Sequence, residues 1–157
     1  MARNTTQERP YSIPVYRVKL VRERCLKFGR DTVTSSSDAA SLIRSYLGLT
    51  DRENMVVVML DVKLQVIGIN TVSIGSLDSA VVHPREVFKP AILSNAHRII
   101  LGHNHPSGDP RPSDEDKRLT LQLADAGRLM DIAVEDHIIV ALDGAYYSFR
   151  NDGTELD

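Results

Sequence analysis

Residues 103–116 read HNHPSGDPRPSDED, a spacing of H-x-H-x7-S-x2-D. Histidines at i and i+2 at the end of a strand point to the same face. Two imidazoles on one face make half a zinc site. A third ligand has to come from elsewhere at about 2.0–2.2 Å, and Asp116 can supply it from the first turn of a following helix. His103, His105 and Asp116 would leave a fourth tetrahedral position for water, which is a catalytic rather than a structural arrangement. Zn²⁺ with two neutral imidazoles and one carboxylate keeps a residual positive charge, enough to lower the pKa of a bound water from ~15.7 towards ~7. That water needs a base, and a carboxylate near the strand ends would serve. Ser113 to Asp116 also reads as a helix N-cap with an acid at the third helical position, and the two roles are compatible.

The elements around this segment must hold it in place. Arg98 to His103 is apolar and strand-like, and Asn104 to Pro112 is a loop stiffened by Pro106, Pro110 and Pro112. A helix is predicted from Ser113 to about Gly127. Upstream, Ser35, Ser36 and Ser37 offer N-caps to a helix with Ala40, Ile43 and Leu47 on its buried stripe, stopped at Gly48. Met55 to Leu60 (MVVVML) is a continuous apolar run, expected to be a central strand covered on both faces. Gln65 to Ile74 returns as its hairpin partner. Pro84 suits the first position of a helix through about Ser94, with a kink at Pro90. Ile132 to Leu142 and Ala145 to Phe149 are strands around the turn at Asp143 and Gly144. Val15 to Val21 also alternates like a strand, with Tyr16, Val18 and Leu20 on one side. The order is strand, helix, strand, strand, helix, strand, helix, strand, strand: an α/β domain with a mixed central sheet flanked by helices.

Length and composition narrow the classes. At 157 residues the chain is one domain, and 42% apolar with 25% charged residues argues against disorder. We divide it into a flexible N-terminal tail at 1–14, a domain at 15–150 and a C-terminal tail at 151–157. The net charge of −2 gives no global positive field for nucleic acid. Cys25 is the single cysteine, which excludes an internal disulfide framework and multi-cysteine metal sites. No apolar run reaches the ~20 residues of a membrane span, and no signal core precedes Pro14. The expected location is cytoplasmic, with no membrane partner and no indication of oligomeric state.

The H-x-H-P-x6-S-x2-D pattern, downstream of a glutamate just before an apolar strand, resembles the JAMM (MPN-plus) zinc metallopeptidases. Val82-His83-Pro84-Arg85-Glu86, then HNHPSGDP, then Asp136-His137-Ile138-Ile139, resembles more narrowly the JAB-type domain of bacterial RadC proteins, from about Ser36 to Phe149. The resemblance implies a cytidine-deaminase-like fold of a mixed sheet between helices. It assigns His103, His105 and Asp116 to one Zn²⁺ per chain, Ser113 to oxyanion stabilisation and Glu53 to proton shuttling. Longer RadC proteins carry a helix-hairpin-helix-like N-terminal region that Met1 to Arg30 does not match, so this chain resembles the short stand-alone form.

The implied function is a zinc-dependent metallohydrolase cleaving an amide or isopeptide bond in an unidentified peptide or protein substrate. The alternative is a DNA-repair-associated module acting through binding, for which the basic residues Arg17, Lys19, Arg22, Arg24, Lys27 and Arg30 form a thin phosphate-binding strip. A zinc deaminase lacks its H-x-E and P-C-x-x-C signatures here, and H-E-x-x-H is absent. Glu86 is a rival to Glu53 as base, with an alternative role as a helix N-terminal carboxylate. His137 reads as a core histidine, although it or Asp136 could orient a ligand histidine. His83 and His97 read as structural or surface groups, and Cys25 as inert.

Overall fold

The computed structural model describes residues 12–75 and 82–156. The helices are α1 (Ser36–Leu47), α2 (Pro84–Leu93) and α3 (Asp114–Met130), and the strands are β1 (Asn54–Leu60), β2 (Val66–Ile74), β3 (Arg98–Asn104), β4 (Ala133–Val140) and β5 (Tyr146–Ser148). The strands form one sheet in the order β2-β1-β3-β4-β5. β3 and β4 are parallel, and every other neighbouring pair is antiparallel. The sheet is therefore mixed, as the alternation of strands and helices requires.

β1 is buried along its whole length because both of its faces are covered. Met55, Val57 and Met59 point into a core with Val87 and Phe88 of α2 and Leu123 and Ala124 of α3. Val56, Val58 and Leu60 point the other way, against Ala39, Ala40, Leu42 and Ile43 of α1. The result is a three-layer sandwich with two helices on one face and one on the other. A continuous apolar strand can sit only in such a double-sided position.

Caps fix the helix ends. Ser35 accepts from the Asp38 N–H at the start of α1, and Gly48, at φ 62°, ends it. α2 runs as one helix through Pro90, which removes a single internal N–H. His83 is its N-cap residue but makes no side-chain cap bond. α3 continues past the expected stop at Gly127 to Met130 and closes on Asp131 in the left-handed region, at φ 56°. Gly127 does a different job from a stop signal: it allows close approach. A Cβ there would lie 2.5 Å from the Ile132 carbonyl oxygen and 3.3 Å from Phe88 Cζ. Replacing Gly127 with Ala gains about 1 kcal/mol of helix propensity but forces backbone apart in a closed core, at about 1–3 kcal/mol. We expect a net loss of about 1 kcal/mol or more, read by urea denaturation. An unchanged or raised midpoint would contradict this packing.

Two expectations need correction. Val15 to Val21 is not a strand: residues 12–27 are exposed and outside the sheet. The segment has an alternating pattern but, among the described residues, no neighbouring strand to take its backbone hydrogen bonds. Chain pairing on the β2 side begins only at the Thr32–Gln65 bridge, with Val66 N donating to Asp31 O and Val33 N to Leu64 O. At the other end, 151–156 is not a loose tail. Asp152 and Thr154 donate backbone bonds to Ser148 O and Phe149 O, and Leu156 is buried in the α2–α3 core. Within the N-terminal tail expected at 1–14, residues 1–11 lie outside the described residues. Among the described residues no helix is long and apolar enough to cross a membrane.

Candidate metal centre

The parallel pairing of β3 with β4 and the antiparallel pairing of β3 with β1 bring three strand ends together. Met55 sits opposite His103, and His103 opposite Ile139. The chain then leaves β3 through a tight loop. His105 N donates to Val140 O and Gly108 N to His105 O, with Gly108 at φ 86°. This loop delivers Ser113 to the N-cap of α3. A complete capping box follows: Asp116 N donates to Ser113 Oγ, and Ser113 N donates to Asp116 Oδ2 at 2.7 Å. The box fixes the Asp116 carboxylate at the helix end, facing the strand.

His103, His105 and Asp116 converge there, with one ligand atom of each within 4.8 Å of the others. His103 Nε2 lies 3.0 Å from His105 Nε2 and 3.2 Å from Asp116 Oδ1, and His105 Nε2 lies 3.6 Å from Asp116 Oδ2. Ligands about 2.0–2.1 Å from a tetrahedral ion are spaced by about 3.3 Å. The observed spacings straddle that value.

The hydrogen bonds outside this triangle decide which atoms face into it. Thr120 Oγ1 donates its single proton to Asp116 O at 2.5 Å. It can then only accept from His137 Nδ1, 2.6 Å away. Burial holds the His137 pKa well below the ordinary range, with the charge of His103 adding to the shift, so the ring is neutral. Its Nε2 must therefore accept from His103 Nδ1, at 2.9 Å. With its Nδ1 proton donated to His137, a neutral His103 ring would turn a bare Nε2 lone pair inwards. His105 Nδ1 donates to Asp109 O at 2.7 Å, which turns its Nε2 lone pair inwards too when the ring is neutral. Asp116 Oδ1 is buried and has no hydrogen-bond partner. Two lone pairs and an orphaned carboxylate oxygen, packed together without a donor, are costly unless a cation binds them. The donor set therefore fits a metal ion, with the Thr120–His137–His103 chain fixing the tautomer of one ligand.

Sequence reading left the role of His137 open and missed Thr120. The available signal was its spacing four residues after Asp116, which puts both on one helix face. Asp136 is occupied elsewhere. It accepts from Ser36 Oγ, Ser148 Oγ, His137 N and Arg150 N, tying α1 and β5 to β4.

Glu53 is half-buried at the threshold of β1. Asn104 clamps the backbone on both sides of it: Asn104 Nδ2 donates to Arg52 O at 2.8 Å, and Asn54 N donates to Asn104 Oδ1 at 2.9 Å. Glu53 O accepts from Gly75 N at 2.9 Å. Glu86 instead lies exposed on α2, with its carboxylate on Lys89 at 2.8 Å. That bond, then the Lys89 charge, lowers the Glu86 pKa. Among the acids after the loop, Asp109 is held at about 2 by its hydrogen bonds to Arg111, while Asp114 and Glu115 pair along the helix with Lys117 and Arg118. Only Asp116 of that acidic group belongs to the centre. His83, His97 and Cys25 are exposed.

The His105 pKa is raised, chiefly by the Asp116 carboxylate 3.6 Å from its Nε2, against the effect of burial. The Asp109 carbonyl and the charges of Asp116 and Glu53 add to the rise. Burial alone would raise the Asp116 pKa, but the two imidazoles and Ser113 outweigh it and hold the carboxyl far below its usual range. A protonated His105 offers no lone pair. Because its pKa is raised, the proton competes with metal from above the ordinary value of 6.5. Metal affinity is thus full above the raised pKa and falls as pH drops through it. A chelating-dye competition from pH 8 to 5.5 should show that fall, and a flat profile would exclude His105 as a ligand.

The sequence pattern of the RadC-like JAB domain matches residues 33–154. Similar proteins include a UPF0758 protein of Rubrobacter xylanophilus, 46% identical over 80% of this chain and 54% of its own length. Another, from Caldanaerobacter subterraneus, is 48% identical over 78% of this chain and 52% of its own. A third, from Thermotoga maritima, is 48% identical over 66% of this chain and 46% of its own. The chain thus spans about half the length of the relatives it matches.

Proposed function

Because the chain belongs to the RadC-like JAB domain family, we propose that it is a zinc-dependent hydrolase of the JAMM type, cleaving an amide bond in a peptide or protein. The observation that carries this reading is the buried, unpartnered Asp116 Oδ1 beside two inward-facing imidazole nitrogens. Two histidines and one carboxylate match the three-ligand sets of catalytic zinc sites, which leave one position open. Bound by His103, His105 and Asp116, zinc would supply the Lewis acidity that makes water nucleophilic near neutral pH.

Glu53 is the base in this reading. Its backbone is clamped between Asn104 and Gly75, and its charge acts on His105. Its carboxylate takes the proton of the attacking water and returns it to the leaving amine. The Ser113 hydroxyl donates to Asp116 Oδ2 at 2.6 Å. In the reaction it would swing to the oxyanion developing on the substrate carbonyl, while Asp116 Oδ2 keeps the Ser113 N–H. His137 and Thr120 act on no substrate atom; they hold His103 in one tautomer.

The test begins with zinc alone. We expect one zinc per chain by metal analysis. A panel of peptide and isopeptide substrates should then yield cleavage that stops on chelation and returns with zinc. No zinc uptake, or cleavage indifferent to chelation, would overturn the reading. The DNA-binding reading draws support only from the exposed basic residues between Arg17 and Arg30. Salt-dependent DNA binding that survives chelation would favour it.

A further inference from the structure

Beside the metal centre lies a pocket of about 230 Å³ whose wall includes His105. The end of α1 and the following loop contribute Leu47 and Leu49, and the end of β4 with its turn contributes Val140, Ala141 and Leu142. Leu49 is 93% and Leu142 55% exposed, so both rim residues present apolar surface that the described residues leave uncovered. Polar residues also line the pocket, and two of them, Asn104 and Thr50, commit their side chains elsewhere. Asn104 spends its side chain on Asn54 N and Arg52 O. Thr50 Oγ1 accepts from Asn54 Nδ2 and donates to Arg52 O. Arg44 Nη2 donates to Gly144 O at 2.7 Å and its Nε is buried without a partner, so this guanidinium brings a positive charge to the lining.

We propose that this pocket is a specificity site that receives an apolar side chain, aliphatic or phenyl, from the substrate residue next to the scissile amide. The proposal rests on the hydrolase reading and deepens it. Three observations converge on it. The shared His105 wall puts the pocket next to the reacting centre, and adjacent residues of an extended peptide are only about 3.8 Å apart at Cα. The volume exceeds the ~150 Å³ known to hold benzene in an apolar protein cavity, so a phenyl ring fits. The lining carries a cation, Arg44, and no carboxylate, so a Lys side chain would meet like charge without a partner and its entry would be penalised.

Two arms test the proposal separately from the chemistry. In the first, the full chain is titrated with N-acetyl-phenylalaninamide, N-acetyl-leucinamide, N-acetyl-glycinamide and N-acetyl-lysinamide, and backbone amide NMR shifts are followed. The phenylalanine and leucine amides should shift Gly48, Ala141 and Leu142 saturably, and the other two should not. Leu142→Asp, at an exposed position that tolerates the change, should weaken that binding by about tenfold or more. Ala141→Leu, which fills the pocket from its wall, should do the same. Equal shifts from the glycine amide, or binding untouched by Leu142→Asp, would overturn the pocket assignment. In the second arm, cleavable peptides varied at the residues flanking the scissile bond should favour Phe or Leu over Lys by about tenfold or more in kcat/KM. Leu142→Asp should erase the preference with zinc content unchanged. Pocket binding with no peptide cleaved would overturn the hydrolase reading and the substrate role of the pocket, whereas cleavage without the preference would overturn the pocket alone.

Discussion

Glu53→Gln is expected to keep one metal per chain and to cut amide hydrolysis by ~10²-fold or more. Gln preserves the shape of the side chain but cannot accept a proton. The backbone around Glu53 is held by bonds that do not involve its carboxylate: Asn104 to Arg52 O and from Asn54 N, and Gly75 N to Glu53 O. The fold should therefore survive the change. The loss should fall on kcat, because a base acts in the transition state more than in substrate binding. One further readout is independent of any substrate. The Glu53 charge helps to raise the His105 pKa, so removing it should move that pKa down and shift the metal-uptake profile to lower pH. Glu86→Gln, on an exposed and ion-paired carboxylate, should change neither quantity. Full activity in Glu53→Gln with loss in Glu86→Gln would reverse the assignment.

The parts of this centre that sequence made legible are those governed by local periodicity. The two-residue period of a strand puts His103 and His105 on one side. The S-x-x-D spacing is both a capping box and the reason Asp116 stands where it does. MVVVML is unbroken because β1 is covered on both faces. Less was legible where an outcome depends on register between distant segments. The bond from His103 to His137 exists because β3 and β4 are parallel with Leu101 opposite His137, and the bond from His137 to Thr120 because α3 crosses over that pair. Gly127 looked like a helix stop, since nothing local distinguishes a terminating glycine from one required by a carbonyl 2.5 Å from its missing Cβ. Val15 to Val21 failed for the opposite reason. Its alternation is genuine, but a strand needs a neighbour, and pattern alone supplies none.

Asp116→Asn is expected to abolish metal binding while sparing the fold, whereas His103→Ala should damage both. Asn keeps an oxygen for the Ser113 N–H and hydroxyl, so the cap of α3 persists. Its new amide N–H group can donate to the inward lone pairs of His103 and His105, replacing an unpartnered carboxylate oxygen with a satisfied donor. The metal-free variant should thus be as stable as the parent or more so. Its metal affinity should fall by more than the 10–100-fold typical of changes around a ligand rather than in it. A ligand present at about 100 times its Kd stabilises the fold that binds it by about 2.7 kcal/mol. For a chain of this size that corresponds to a rise in Tm of roughly 5–10 °C. Zinc should produce that rise in the parent and none in Asp116→Asn. His103→Ala also removes the partner of His137 Nε2, leaving a fully buried nitrogen unsatisfied. That loss costs about 1–3 kcal/mol before any cavity is counted. A zinc-dependent rise in Tm that persists in Asp116→Asn would remove Asp116 from the ligand set, and with it the arrangement on which the proposed chemistry depends.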